Sequence, residues 1–277
     1  MFHRYLVLVF SLLLISHPLL AKNVGKPIFF SIVIPSYNNE QWCIRNLESC
    51  LNQTYPYFII YYIDDCSQDS TGKLVDAYVK SHKLEKKCIV IHNKERHGAL
   101  ENIYNTIQTI PSYRVVVLVD GDDFLAHPNV LEKLVSVYRD GKIWMTYGDF
   151  KSEPEGYPSP CRKIPSKIAK HNSFRSYSWV ASHLRTFYAG LFQKIKKEDL
   201  QYEGKFLPVS WDLAMMMPML EMSSRAHFRF IPEVLYIYNV HNPLNDFRER
   251  HEPQIKLNYY IRGKTPYTPL ETLFEVY

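Results

Sequence analysis

Four short apolar runs, each closed by polar residues, constrain the fold more than anything else in this chain. They are FFSIVIP (29–35), FIIYYID (58–64), CIVIHN (88–93) and YRVVVLVD (113–120). Length and β-branched content make each a strand buried on both faces. Between them, apolar residues recur at helical spacing. Cys43, Ile44, Leu47, Cys50 and Leu51 mark one helix, with Asn38 or Asn39 placed to cap it. Leu74, Val75, Tyr78 and Val79 mark a second, and Leu100, Ile103, Tyr104 and Ile107 a third. Strand and helix alternating through short connections predict an α/β domain with a mostly parallel central sheet, covered by helices on both faces.

Past Phe150 the rhythm breaks. Prolines at 154, 158, 160 and 165 predict an irregular loop. SHLRTFYAGLFQKI (182–195) reads as partly helical, and SWDLAMMMPMLEM (210–222) as a helix that Pro218 kinks or ends halfway. HFRFIPEVLYIYNVH (227–241) supplies one or two closing strands. The expected division is a domain over 26–241 and an irregular tail over 242–277. Residues 1–25 carry Arg4, an apolar run from Tyr5 to Ile15 and a small residue at Ala21. That run falls short of the roughly 20 residues of a membrane span. It reads as a signal peptide or a membrane anchor, which puts the remainder on the secretory route or in association with a membrane. Anchoring at a cytosolic face stays open.

Hydrophobic residues at 46% and charged residues at 22% suffice for a core. The net charge is only +5 and the basic residues are scattered, which argues against nucleic acid as a partner. The five cysteines include no C-x-x-C pair, so a structural zinc site is not expected, and no G-x-G-x-x-G follows a strand to hold a dinucleotide.

In an open α/β sheet ligands bind at the carboxyl ends of the strands. Here three strands end in polar clusters: Pro35-Ser36-Tyr37-Asn38, Asp64-Asp65 and Asp120-Gly121-Asp122-Asp123. Crowded carboxylates repel unless a cation sits among them. A divalent ion, Mn²⁺ or Mg²⁺, takes one or two of them when a diphosphate supplies further oxygens. Taken alone, Asp-Gly is equally a turn former.

With FSIVIPSYNNE, IDDCSQDSTG and LVDGDDFL in this order, the chain resembles the family 2 glycosyltransferases, whose domain is a Rossmann-like fold of GT-A type. The resemblance covers about 30–241. It implies a metal-dependent, inverting transfer of a sugar from a nucleotide-sugar donor to a hydroxyl of a glycan, polysaccharide or lipid-linked acceptor. It places Pro35, Tyr37, Asn38, Glu40, Asp65 and Asp120 at the nucleotide, and Asp122, Asp123 and His241 at the metal. Cys66 stands where the family usually has glycine or asparagine. The family's catalytic base lies in an Glu-Asp pair opening a later helix; here Trp211 replaces the glutamate and Asp212 is retained as the catalytic candidate. Arg185, whose planar fork suits phosphate oxygens, and Trp211 are candidate contacts to diphosphate or acceptor. A non-catalytic nucleotide- or sugar-binding module and a nucleotidyltransferase remain the alternatives. The latter usually has a glycine- and lysine-rich phosphate loop, which PSYNNE lacks.

Overall fold

The computed structural model describes residues 27–243 and 251–274; the segment read as a signal peptide or anchor lies outside them. Among the described residues no helix is long and apolar enough to cross a membrane.

The four apolar runs form strands β1 (Phe30–Ser36), β2 (Phe58–Asp64), β3 (Cys88–His92) and β4 (Val115–Leu118). The periodic segments between them form α1 (Cys43–Leu51), α2 (Thr71–Ser81) and α3 (Ala99–Thr109). No side chain caps α1; instead the Asn39 carbonyl accepts the Trp42 and Cys43 amides. The chain continues through β5 (Phe124–Leu125), α4 (Val130–Tyr138), β6 (Met145–Glu153) and α5 (Ser166–Lys170). Then come β7 (Arg185–Tyr188), α6 (Ala189–Phe192), a small hairpin of β8 (Gln201–Tyr202) and β9 (Lys205–Phe206), α7 (Trp211–Met222), β10 (Phe228–Asn239) and α8 (His251–Gly263).

Among the described residues one eight-stranded sheet dominates, in the order β3-β2-β1-β4-β7-β6-β10-β5. β1 lies between parallel neighbours β2 and β4 with all seven residues buried, which is why its sequence is a continuous apolar run. β6 and β10 are also parallel, while β7 runs antiparallel to β4 and β6. β5 follows β4 closely in sequence yet pairs with β10, at the far side of β7 and β6. Four strand spacings amount to about 19 Å, close to the full reach of so short a connection. That connection contains a tight turn, so the sheet must curl. The acidic turn Asp120–Asp123 therefore sits in the mouth of the curl.

Three expectations change. Within the segment read as partly helical, Ala189–Phe192 is the helical part, and Arg185–Tyr188 is a strand not foreseen, because four buried side chains fill the gap between β4 and β6. Pro218 does not end α7, which runs on to Met222 inside an almost wholly buried surround. The tail read as irregular contains α8, whose Leu257 and Ile261, four residues apart, are buried. Pro253 sits in its first turn, where no N–H is needed. The closing segment is the single strand β10, with register shifts between Ile231 and Tyr236 around Pro232, which cannot donate to the ladder.

The β2–β3 edge is fastened by His92, whose Nδ1 meets Asp64 Oδ2 at 3.2 Å and whose Nε2 meets Asp76 Oδ2 at 3.0 Å. Burial works against its protonation, but the Asp76 and Asp64 carboxylates outweigh this and raise its pKa above the ordinary 6.5. A raised pKa stabilises the fold fully below the unfolded value and ceases to do so as pH rises through the folded value. The melting-temperature gap between the native chain and His92→Ala is therefore expected to be wider near about pH 5.5 than near about pH 8.5. Equal gaps at both would remove this role.

Candidate active site

The carboxyl ends of β1, β2 and β4 open into one cavity of ≈ 600 Å³, whose wall also includes the start of α7. Pro35, Tyr37, Asp65, Asp120, Asp122, Asp123, Arg185, Trp211 and Asp212 all line it. Asn38, Glu40 and His241 do not appear in its wall. Asn38 and Glu40 turn instead to the loop before α2: Asn38 Oδ1 accepts the Gln68 amide and Glu40 Oε2 accepts the Ser70 amide. His241 is exposed. Its neighbour Asn242 is buried, lines the cavity and donates to Asp122 Oδ2 at 2.7 Å.

The acidic turn is pinned from three sides. From α1, Asn46 Nδ2 donates to the carbonyls of Asp120 (2.9 Å) and Asp123 (2.7 Å). From β10, the Tyr236 hydroxyl donates to Asp123 Oδ2 and the Asn239 amide to Asp123 Oδ1, both at 2.7 Å. From the end of β1 and the loop after it, Ser36 and Asn39 press against Gly121, where a Cβ would lie 2.6 Å from Ser36 Oγ; only glycine allows that approach.

The three aspartates consequently differ. Asp123 is 1% exposed, and burial, with Asp122 and Asp120 beside it, pushes its pKa well above the carboxylate range. Burial pushes Asp120 the same way, but Arg185 and His183 overcome it and hold its carboxyl below the ordinary value. Asp120 Oδ2 lies 3.2 Å from His183 Nε2 and 3.6 Å from Arg185 Nη2. Asp120 Oδ1 is buried with no hydrogen-bond partner among the described residues. Asp123 ties the turn to β10, so Asp123→Ala, which strands a buried hydroxyl and a buried amide, is expected to cost about 2–4 kcal/mol. Urea unfolding checks this; an unchanged midpoint would show that the turn does not need it.

Arg185 is 2% exposed, and its guanidinium stands over the Trp211 ring at 4.8 Å. Its Nη2 lies against His183 Nε2. His183 Nε2 thus lies between the Arg185 guanidinium and Asp120 Oδ2, and its Nδ1 faces Ser182 Oγ at 2.8 Å. Burial first, then the Arg185 charge, lowers the His183 pKa despite Asp120. At the β2 end, burial would raise Asp65. Hydrogen bonds from Asn93 Nδ2 (2.7 Å) and the amides of His97 (2.9 Å) and Gly98 (2.8 Å) instead leave it lowered. The same loop lays Arg96 over the Tyr37 ring at 3.7 Å. Asp212, in the first turn of α7 and also in the cavity wall, accepts from the Trp179 indole N–H at 3.2 Å. His183, Trp179, Asn242 and Asn46 were not singled out from sequence; each matters through contacts far along the chain.

The model of the family described as "Glycosyl transferase family 2" matches residues 31–198. Glycosyltransferase GlyG of Streptococcus pneumoniae is 26% identical over 125 residues, covering 45% of this chain and 40% of that protein. Hyaluronan synthase of Streptococcus pyogenes is 30% identical over 132 residues, covering 45% of this chain and 30% of that one. The matches thus span less than half of these relatives. Among solved structures, S. aureus TarS in complex with UDP-GlcNAc aligns at TM-score 0.58 and 17% identity, over 78% of this chain and 59% of that one. Mannosyltransferase PcManGT from Pyrobaculum calidifontis, in complex with GDP-Man and Mn²⁺, aligns at 0.53 and 17%, over 86% and 65%. These structural likenesses bear on the fold, which is of GT-A type. By its family match, the chain belongs to glycosyl transferase family 2.

Proposed function

We propose that the protein is a metal-dependent glycosyltransferase that moves a sugar, with inversion, from a nucleoside diphosphate donor to an acceptor hydroxyl. The observation that carries this reading is one cavity whose wall holds Asp65, Asp120 and Asp122 at strand ends together with Asp212 from α7. Tyr37, stacked under Arg96, and Asp65 with its loop form the nucleotide end. That TarS has been solved with UDP-GlcNAc and PcManGT with GDP-Man supports a donor of this class.

The donor set suits a hard divalent cation. One oxygen each from Asp120 and Asp123 and a ring nitrogen of His183 lie within 4.8 Å of one another. Of these, His183 Nε2 is already in contact with Arg185 Nη2, and both Asp123 oxygens accept from β10. Asp120, with its unpaired Oδ1, and Asp122 are therefore the residues that would hold Mn²⁺ or Mg²⁺. Such an ion, when bound, would stabilise the charge growing on the departing diphosphate. Arg185 adds a fixed positive charge beside Asp120. Asp212 takes the proton of the acceptor hydroxyl as it attacks the anomeric carbon from the side away from the diphosphate. A single displacement of this kind inverts that centre.

Calorimetry with UDP- and GDP-sugars tests the reading. Binding is expected with Mn²⁺ present and is expected to weaken at least about tenfold on adding a chelator or in Asp122→Ala. Absence of uptake of every donor by the folded protein would remove the assignment. Release of nucleoside diphosphate, rather than pyrophosphate, would separate it from nucleotidyl transfer, and turnover would separate it from a binding module.

A further inference from the structure

The aromatic residues of the cavity wall are almost all covered. Tyr37 carries Arg96, and Trp211 carries Arg185. Phe150, Tyr157 and Tyr238 pack on one another with centroids 5.3 to 6.4 Å apart, and Phe206 packs on Tyr104 at 5.3 Å. Trp179 differs. Among the described residues no aromatic ring and no cation stacks on it, although it lines the cavity and is only half-buried. Its N–H is nevertheless fixed, donating to Asp212 Oδ2 at 3.2 Å. Part of the indole packs against the core, and the remainder forms cavity wall beside the carboxylate assigned as base.

We propose that Trp179 is the platform of an acceptor subsite that takes a sugar ring. This rests on the transfer reading above and adds the chemical class of the acceptor. A pyranose offers what the corner lacks: a face of C–H bonds to lie on the indole and a hydroxyl at its edge for Asp212. A serine or threonine acceptor in a peptide has no ring to cover the indole. A polyprenyl phosphate would bring its negative charge against Asp212. Trp179 has a second effect as a positioning residue. Its N–H engages Oδ2, which restricts rotation of the carboxylate and leaves Oδ1 to meet the acceptor proton.

The test uses the full chain with UDP or GDP and Mn²⁺. Methyl glycosides of glucose, galactose, mannose and N-acetylglucosamine serve as probes, beside a serine-threonine peptide and a short polyprenyl phosphate. Saturation-transfer NMR reads acceptor binding, calorimetry reads donor binding, and melting confirms folding. At least one glycoside is expected to bind the native protein through its ring C–H protons, and Trp179→Ala is expected to weaken it about tenfold or more. Trp179→Phe keeps a ring but loses the N–H. It is expected to hold the glycoside within about threefold while slowing transfer about tenfold or more, a split between KM and kcat. Unchanged glycoside affinity in Trp179→Ala, or binding only of the peptide or the polyprenyl phosphate, would overturn the subsite. Transfer by Trp179→Phe at the native rate would overturn the positioning role. Failure of UDP and GDP alike to bind the native protein would instead strike the donor reading on which the subsite depends.

Discussion

Replacing Asp212 with asparagine is expected to lower kcat for transfer by about 10²–10⁴-fold while donor affinity stays nearly unchanged. Asparagine preserves the shape of the side chain and can still accept from the Trp179 indole, so the loss isolates basicity. An acceptor hydroxyl ionises far above neutral pH. Its attack on the anomeric carbon is fast only if a carboxylate removes the proton as the bond forms. Asp212 is placed for this by the first turn of α7, in the wall of the cavity that the acidic turn also lines. The other carboxylates of the cavity wall are otherwise engaged: Asp65 by its loop, Asp123 by β10, Asp120 by Arg185 and His183, Asp122 by Asn242 and Glu101 by His97. Initial rates with saturating donor and varied acceptor supply kcat, and calorimetry supplies donor affinity. Native-like turnover in Asp212→Asn would mean that another group accepts the proton.

What could be read from the chain before its structure was what depends on near neighbours in sequence. β1 to β4 and α1 to α3 declared themselves because strand and helix periodicities are local and these elements are buried in regular ways. The strand-end aspartates were legible because a sheet of this kind presents its carboxyl ends together. The partners of those aspartates were not. Tyr236, Asn239 and Asn242 reach the acidic turn from more than a hundred residues away, along a strand that a proline throws out of register. No local pattern tells His241 from Asn242. The choice follows from β10 being tied to Asp123 at Asn239, after which Asn242 turns inward. Asn46 is similar: it sits on the buried face of α1 among Cys43, Leu47 and Cys50, where a polar residue signals a buried partner without naming it. β7 was missed because RTFYAGLF suits a helix as well as a strand. Its state is decided by the open place between β4 and β6.

The helix that carries Asp212 is held from its far end, and breaking that hold should have the largest effect on stability. Glu221, near the last turn of α7, is fully buried and meets Arg175 through two bonds, Nε to Oε1 at 2.6 Å and Nη2 to Oε2 at 2.9 Å. Its Oε2 also accepts the Tyr267 amide at 2.9 Å, while Arg175 Nη1 donates to the Ile261 carbonyl at the end of α8. Burial raises the Glu221 pKa, though Arg175 and the Tyr267 amide draw it back down. Glu221→Ala would leave a buried guanidinium uncompensated and is expected to cost about 3–5 kcal/mol, read as a shift in the urea midpoint. Replacing both partners with apolar residues of similar volume, Arg175→Met with Glu221→Leu, is expected to recover a large part of that loss, since neither variant side chain then buries a charge. The Ile261 carbonyl and Tyr267 amide would still lack partners, so recovery should stop short of complete. If Glu221→Ala unfolded at the native midpoint, α7 would be held by its apolar packing alone, and the pair would contribute nothing to where Asp212 stands.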